Sequence, residues 1–287
     1  MLPKTVATRH SPVFSPVAEC TVPISDSVAL RAYSCTRPFN LKIADLQKGL
    51  IFVNNGAEVV GEGTGFGVPI LKYPDETYFS SSSSLHVSKQ DTLTIVRKEF
   101  HMDAVARNKL RNVKLENRKA RASINILSNM YQRHGHFRFL ILKDLLHTLG
   151  VHASFVRVPA RGKVTTIYHV QDKSINVKVD FSLVKKTNLR KIFVLNEQSS
   201  LFFRAYSDSD GLRLTDENIG AWEDVKARWA RITDYYGKVG FSLMSVNGSF
   251  LRRGREYLRD LMDWVGLDYE ISPNRGIFEY EIGIVES

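Results

Sequence analysis

The chain has 287 residues, with 40 Lys+Arg against 30 Asp+Glu, 43% hydrophobic residues, 24% charged residues and 2 Cys. That apolar fraction excludes a disordered chain, and no apolar run approaches the roughly 18 to 20 residues that a membrane-spanning helix needs. The length allows one large domain with a sizeable core, or two small ones.

In chain order, residues 1–26 are interrupted by Pro3, Pro12, Pro16 and Pro23, and their apolar residues come singly or in pairs. This predicts an extended N-terminal arm rather than a secretory signal. A cytoplasmic protein with Cys20 and Cys35 reduced is therefore expected, and no membrane partner. From Ser27 to about Asp103 strand follows strand. Asn55-Gly56 supplies a tight hairpin turn, Tyr73-Pro74-Asp75-Glu76 a second turn, and the short connections require antiparallel pairing.

The period then changes. Leu110, Val113, Ala120, Ile124, Leu127 and Tyr131 recur at helical spacing, and Leu142, Leu145, Leu146 and Leu149 follow before Gly150, which predicts a helical hairpin over about 104–150. Strands resume at His152 to Val158, Val164 to Val170 and Ser174 to Phe181, with a turn at Gln171-Asp172-Lys173. Arg190 to Leu195 and Leu201 to Tyr206 follow. Trp222, Val225, Trp229 and Ile232 predict a helix from Ala221 to about Asp234, and a last helix is expected from Arg253 to Val265, capped by Gly266. A closing hairpin is expected at Asn274-Arg275-Gly276. The fold class is β-rich (α+β): a large antiparallel β-sandwich over 27–287 as a single domain, with an inserted helical hairpin and two further helices. In layout it is similar to the large sandwiches of carbohydrate-acting proteins, without matching motif residues.

Several features bear on function. Gly61, Gly63, Gly65 and Gly67 share one side of an extended segment, a bare backbone strip that a ligand or a packed element can approach closely. The spacing fits neither a dinucleotide fingerprint nor a phosphate loop, so no cofactor is expected. The run Ser80 to Ser84 adds small hydroxyls, Ser81 among them, that can line a polar pocket. Arg107, Arg111, Lys114, Arg118 and Arg121 would form one basic stripe about 20 Å long on a helix, at about 1.5 Å per residue. Such a stripe suits a polyanion, either nucleic acid or an acidic glycan. Further basic clusters stand at Lys185-Lys186 with Arg190-Lys191 and at Arg252, Arg253, Arg255 and Arg259.

His101 and Asp103 put an imidazole and a carboxylate on one side of a strand end, the candidates for acid–base catalysis. Glu279 and Glu281 are a paired-carboxylate alternative. His134, His136 and His147 lack a metal-site spacing, so no metal is expected. The first reading is a polyanion-binding protein using the basic stripe. The alternative is a carbohydrate- or phosphosugar-acting enzyme with a pocket near Gly61 to Gly67.

Overall fold

The computed structural model describes residues 13–36, 47–90, 92–110, 151–220, 222–258 and 262–287. The strands are β1 (Ser15–Pro16), β2 (Glu19–Pro23), β3 (Val28–Tyr33), β4 (Cys35–Thr36), β5 (Ile51–Asn54), β6 (Ala57–Glu58), β7 (Gly65–Lys72), β8 (Thr77–Gln90) and β9 (Leu93–Leu110). They continue with β10 (Val151–Arg157), β11 (Lys163–Gln171), β12 (Ser174–Asp180), β13 (Lys191–Gln198), β14 (Phe203–Asp208) and β15 (Arg213–Thr215). After a 3-10 turn, Asp216–Ile219, come β16 (Glu223–Val225), β17 (Trp229–Asp234), β18 (Val239–Met244), β19 (Ser249–Leu258), β20 (Met262–Ile271) and β21 (Ile277–Glu286).

Among the described residues all the strand pairs are antiparallel. One layer runs β8, β9, β11, β12, β21, β18, β17, β14, β15, with β10 also beside β9. The second layer runs β7, β13, β20, β19, β16, and joins the first at the corner where Leu71 and Lys72 pair with Tyr78 and Thr77. A small sheet of β2, β3, β5 and β6 flanks them. Alternation explains these strands: Val164, Thr166, Tyr168 and Val170 are buried along β11, and Phe278, Tyr280, Ile282 and Ile284 along β21. The layers meet through edge-to-face rings, Phe66 on Phe241 at 5.0 Å and Tyr269 on Phe278 at 5.0 Å. Phe52 joins the small sheet to the same core through Phe203, at 5.3 Å.

The turn chemistry holds where the side chains demanded it. Asn55 and Gly56 both take positive φ, 48° and 81°, between β5 and β6. Asp172, at φ 51°, turns β11 into β12.

The expected helices are corrected. Among the described residues there is no α-helix. The first part of the expected helical hairpin, up to Leu110, is strand β9, and residues 111–150 lie outside the described residues. The helix expected over Ala221 to Asp234 is two strands, β16 and β17, paired with β19 and with β14 and β18. The helix expected over Arg253 to Val265 is the end of β19 and the start of β20, which pair with each other from Ser249 opposite Ile271 to Leu258 opposite Met262. Spacings of three and four misled there because aromatic and β-branched residues on two short strands, broken by a turn, reproduce a helical stripe. The closing segment is also corrected: β20 and β21 are not a hairpin but belong to different layers, so Ser272 to Gly276 carries the chain across the sandwich. Residues 15–16 and 19–23 of the expected N-terminal arm pair with β8 and β3. Among the described residues, no helix is long and apolar enough to cross a membrane.

Candidate functional site

The serine run lies on β8, facing β9, and the pairing slips there twice. Phe79 pairs with Ala104 and Ser80 with Met102, which leaves Asp103 unpaired; Ser80 with Met102 is followed by Ser82 with His101, which leaves Ser81 unpaired. Each strand thus carries one extra residue, and the two extras meet. The backbone N–H of Ser81 donates to Asp103 Oδ1 at 3.0 Å, and its hydroxyl lies 2.9 Å from both carboxylate oxygens. Arg157, at the end of β10, closes the group: Nε and an Nη donate to Ser81 Oγ at 3.1 and 2.9 Å, and Nε stands 3.3 Å from Asp103 Oδ2. The Ser81 hydroxyl is fully buried with its lone pairs turned to the guanidinium and its proton to the carboxylate, so it fixes the two charged groups rather than presenting itself.

The bulges turn this cluster onto the face of the layer that points away from the core. Along β9 the core face is Val96, Lys98, Phe100 and Met102, all buried, while Arg97, Glu99, His101 and Asp103 occupy the other. His101 is exposed, opposite Ser82 on one side and Lys163 on the other. One row on, Glu99 takes Lys163 Nζ at 2.7 Å and Arg97 at 2.6 Å. Burial raises the Glu99 carboxyl, but the hydrogen bond and charge of Lys163 and the charge of Arg97 outweigh it and hold the group below its ordinary value. An edge-to-face pair, Phe79 with Phe155 at 5.0 Å, borders the cluster with Ala104 between. The site therefore offers fixed acceptors, fixed donors, an exposed imidazole and an apolar border.

The other features singled out in the sequence lie elsewhere. Gly63 and Gly65 belong to the second layer and its approach, where they meet the protein's own backbone. A Cβ on Gly63 would stand 2.8 Å from the Val60 oxygen and 2.9 Å from that of Glu197, and one on Gly65 2.6 Å from that of Leu50. Gly67, at φ 75°, lies under Tyr168, whose hydroxyl donates to the Phe66 oxygen at 2.7 Å. The glycine strip and the serine run are thus not brought together in one pocket. Glu279 and Glu281 share an outward face, engaged by Lys178 at 3.3 Å and Ser174 at 2.7 Å. Arg107 lies on strand β9, opposite Ser154, and not on a helix. Arg111, Lys114, Arg118 and Arg121, like His134, His136 and His147, lie outside the described residues.

Two things escaped sequence reading. Arg157 ends an alternating strand 54 positions from Asp103, and nothing local marks it. The run Asn196-Glu197-Gln198-Ser199-Ser200 did carry a signal, since five polar residues directly follow the apolar Ile192 to Leu195. All five are buried. Asn196 Oδ1 accepts from the Gly67 N–H at 3.1 Å and from the Tyr280 hydroxyl at 2.7 Å, and its Nδ2 donates to the Leu267 oxygen at 3.1 Å. Asp263 accepts from both serine hydroxyls, at 2.6 and 2.8 Å. Glu197 is pushed up to about 7, first by burial and then by the charge of Glu256, against hydrogen bonds from Thr64 and the charge of Lys48. Asp268 is raised as well, by burial and by the nearby Glu197 carboxyl. Both acids are buried in the second layer, where burial works against their charged forms.

No protein-family model matches the chain, and no curated protein does. Among solved structures, the Slr1438 protein from Synechocystis sp. PCC 6803 is 8% identical, covering 97% of this chain and 97% of that one, with a TM-score of 0.35. A galactose mutarotase-like protein from Lactobacillus casei ATCC 334 is 9% identical, covering 93% of this chain and 99% of that one, with a TM-score of 0.40. At these values neither structure assigns a residue or an activity to this chain.

Proposed function

We propose that the double bulge is the centre of a site for a sugar or sugar phosphate, and that the protein is a carbohydrate-acting enzyme. The observation that carries this reading is the one pair of extra residues facing each other across β8 and β9, Ser81 and Asp103, locked by Arg157 on an outward face. An isolated carboxylate and guanidinium on a sheet face would be a solvated ion pair; here a buried hydroxyl holds both in one geometry. Sugar hydroxyls need donors and acceptors in close order, and the partly exposed Phe79 ring, backed by the buried Phe155, suits the apolar face of a pyranose ring. Asp103 accepts from ligand hydroxyls, Arg157 orients it, and His101 exchanges a proton with a hydroxyl or ring oxygen.

The test is a titration of a panel of aldoses and aldose phosphates by saturation-transfer NMR and calorimetry, with turnover followed by NMR of the anomeric protons. A panel member is expected to bind with Kd below about 1 mM, and Asp103→Asn to weaken it about tenfold or more. His101→Ala should remove turnover while leaving binding within a few fold. Failure of every panel member to bind, or binding indifferent to Asp103→Asn, would overturn the proposal.

A further inference from the structure

A different pair of charged side chains stands where the core pattern calls for apolar ones. On β19, Leu251 faces the interior opposite Tyr269, and the next two residues on that side are Arg253 and Arg255, opposite Leu267 and Val265. Their side chains are only 11% and 7% exposed. The Arg253 guanidinium lies over the Tyr206 ring at 5.1 Å and that of Arg255 over Tyr257 at 5.6 Å. Neither is well served with acceptors. Both Nη atoms of Arg253 converge on one oxygen of Glu223, at 3.0 Å each. Arg255 reaches Glu217 Oε1 at 3.3 Å and the Ser200 oxygen at 3.4 Å, both long for a charged donor. The Nε of each is buried and has no acceptor among the described residues. A buried donor left without an acceptor is costly, and a further acceptor at either Nε would relieve that cost.

The partners are unequal. Glu217 and Glu223 are 81% and 53% exposed, so each loses little by turning back to water. Asp216, the next acid beside Arg255, is already taken by Arg204 at 2.6 and 3.1 Å, and Asp208 accepts the Tyr206 hydroxyl at 2.7 Å. Residues two apart on a strand leave the backbone about 6 to 7 Å apart on one face, close enough for both side chains to reach one tetrahedral oxyanion.

We propose that Arg253 and Arg255 form a phosphate-binding subsite, separate from the double bulge, and that Glu217 and Glu223 are internal carboxylates that a phosphate group displaces. Aromatic stacking on Tyr206 and Tyr257 holds the two forks in place before the anion arrives. The competing account is that inward charges merely keep the end of β19 from pairing with another chain, and it makes opposite demands of the acids.

Inorganic phosphate is the probe, followed by 31P NMR line width and calorimetry at pH 7.5 and constant ionic strength set with chloride. The wild-type protein should bind it saturably. Glu217→Gln with Glu223→Gln should tighten that binding about tenfold, because both competing carboxylates are gone while the arginines remain. Adding Arg255→Gln to that double variant should abolish it. No saturable binding in the double variant overturns the proposal, as does binding that survives Arg255→Gln. Because both acids are exposed, the double variant tests the idea without disturbing a buried group, and its thermal midpoint confirms that the fold is intact.

Discussion

Glu197 provides the most quantitative test of the packing. Its carboxyl ordinarily titrates at 4.5 and does so at about 7 in the folded protein. Between those values the folded state holds a proton that the unfolded state has released, so stability falls as pH rises from about 4.5 to 7 and stays low above it. At 1.36 kcal/mol for each tenfold change in proton affinity, the ionised acid costs the fold about 3 kcal/mol at pH 8.5. Glu197→Gln keeps the shape of the side chain and removes the ionisation. It also relieves Asp268, whose carboxyl is raised in part by Glu197. Urea unfolding at pH 5, 7 and 8.5 should show the variant within about 1 kcal/mol of wild type at pH 5 and more stable by about 3 kcal/mol at pH 8.5. A difference that stays constant with pH, or grows in favour of wild type as pH rises, refutes the reasoning.

Gly67→Ala should destabilise by about 2 to 5 kcal/mol, because the position is left-handed at φ 75° and a Cβ would stand 2.8 Å from the Tyr168 ring. Gly211→Ala is the control: its φ of 87° is as demanding but nothing lies within 4 Å, so urea denaturation should register only about 1 to 2 kcal/mol. Asn196→Leu strands the Gly67 N–H and the Tyr280 hydroxyl and should cost about 3 kcal/mol or more by the same assay. Tyr280→Phe, which leaves Asn196 Oδ1 bonded to Gly67, should cost only about 1 kcal/mol.

What was legible in the sequence was whatever one segment decides alone. Alternation placed β11, β12 and β21, and Asn55-Gly56 and the Asp172 turn carried their backbone geometry in their residue types. What was not legible depends on partners far along the chain. Gly266 reads locally as a helix cap, yet it stands opposite Gly254 in mid-strand and gives room to the Asn196 oxygen, 2.6 Å from where its Cβ would be. Trp222 reads as one member of a helical stripe, but its ring covers Gly254, 2.5 Å from a Cβ there. At the candidate site the sequence offered His101 and Asp103 as a pair and Ser81 as part of the serine run, but not the geometry that joins them. Their relation rests on two register slips and on an arginine from β10, and register is a property of pairs of strands.

The two slips have a further consequence. Tyr78 opposite Val105 on one side and Ser82 opposite His101 on the other belong to the same register, so the displacement made by Asp103 is undone by Ser81. Taking out either residue alone would invert the faces of one strand relative to its neighbour, whereas taking out both would leave an uninterrupted ladder. The sheet has no use for the pair. They are a matched insertion, gained or lost together, and a related chain lacking both would keep the architecture intact while carrying nothing at this position for Arg157 to hold.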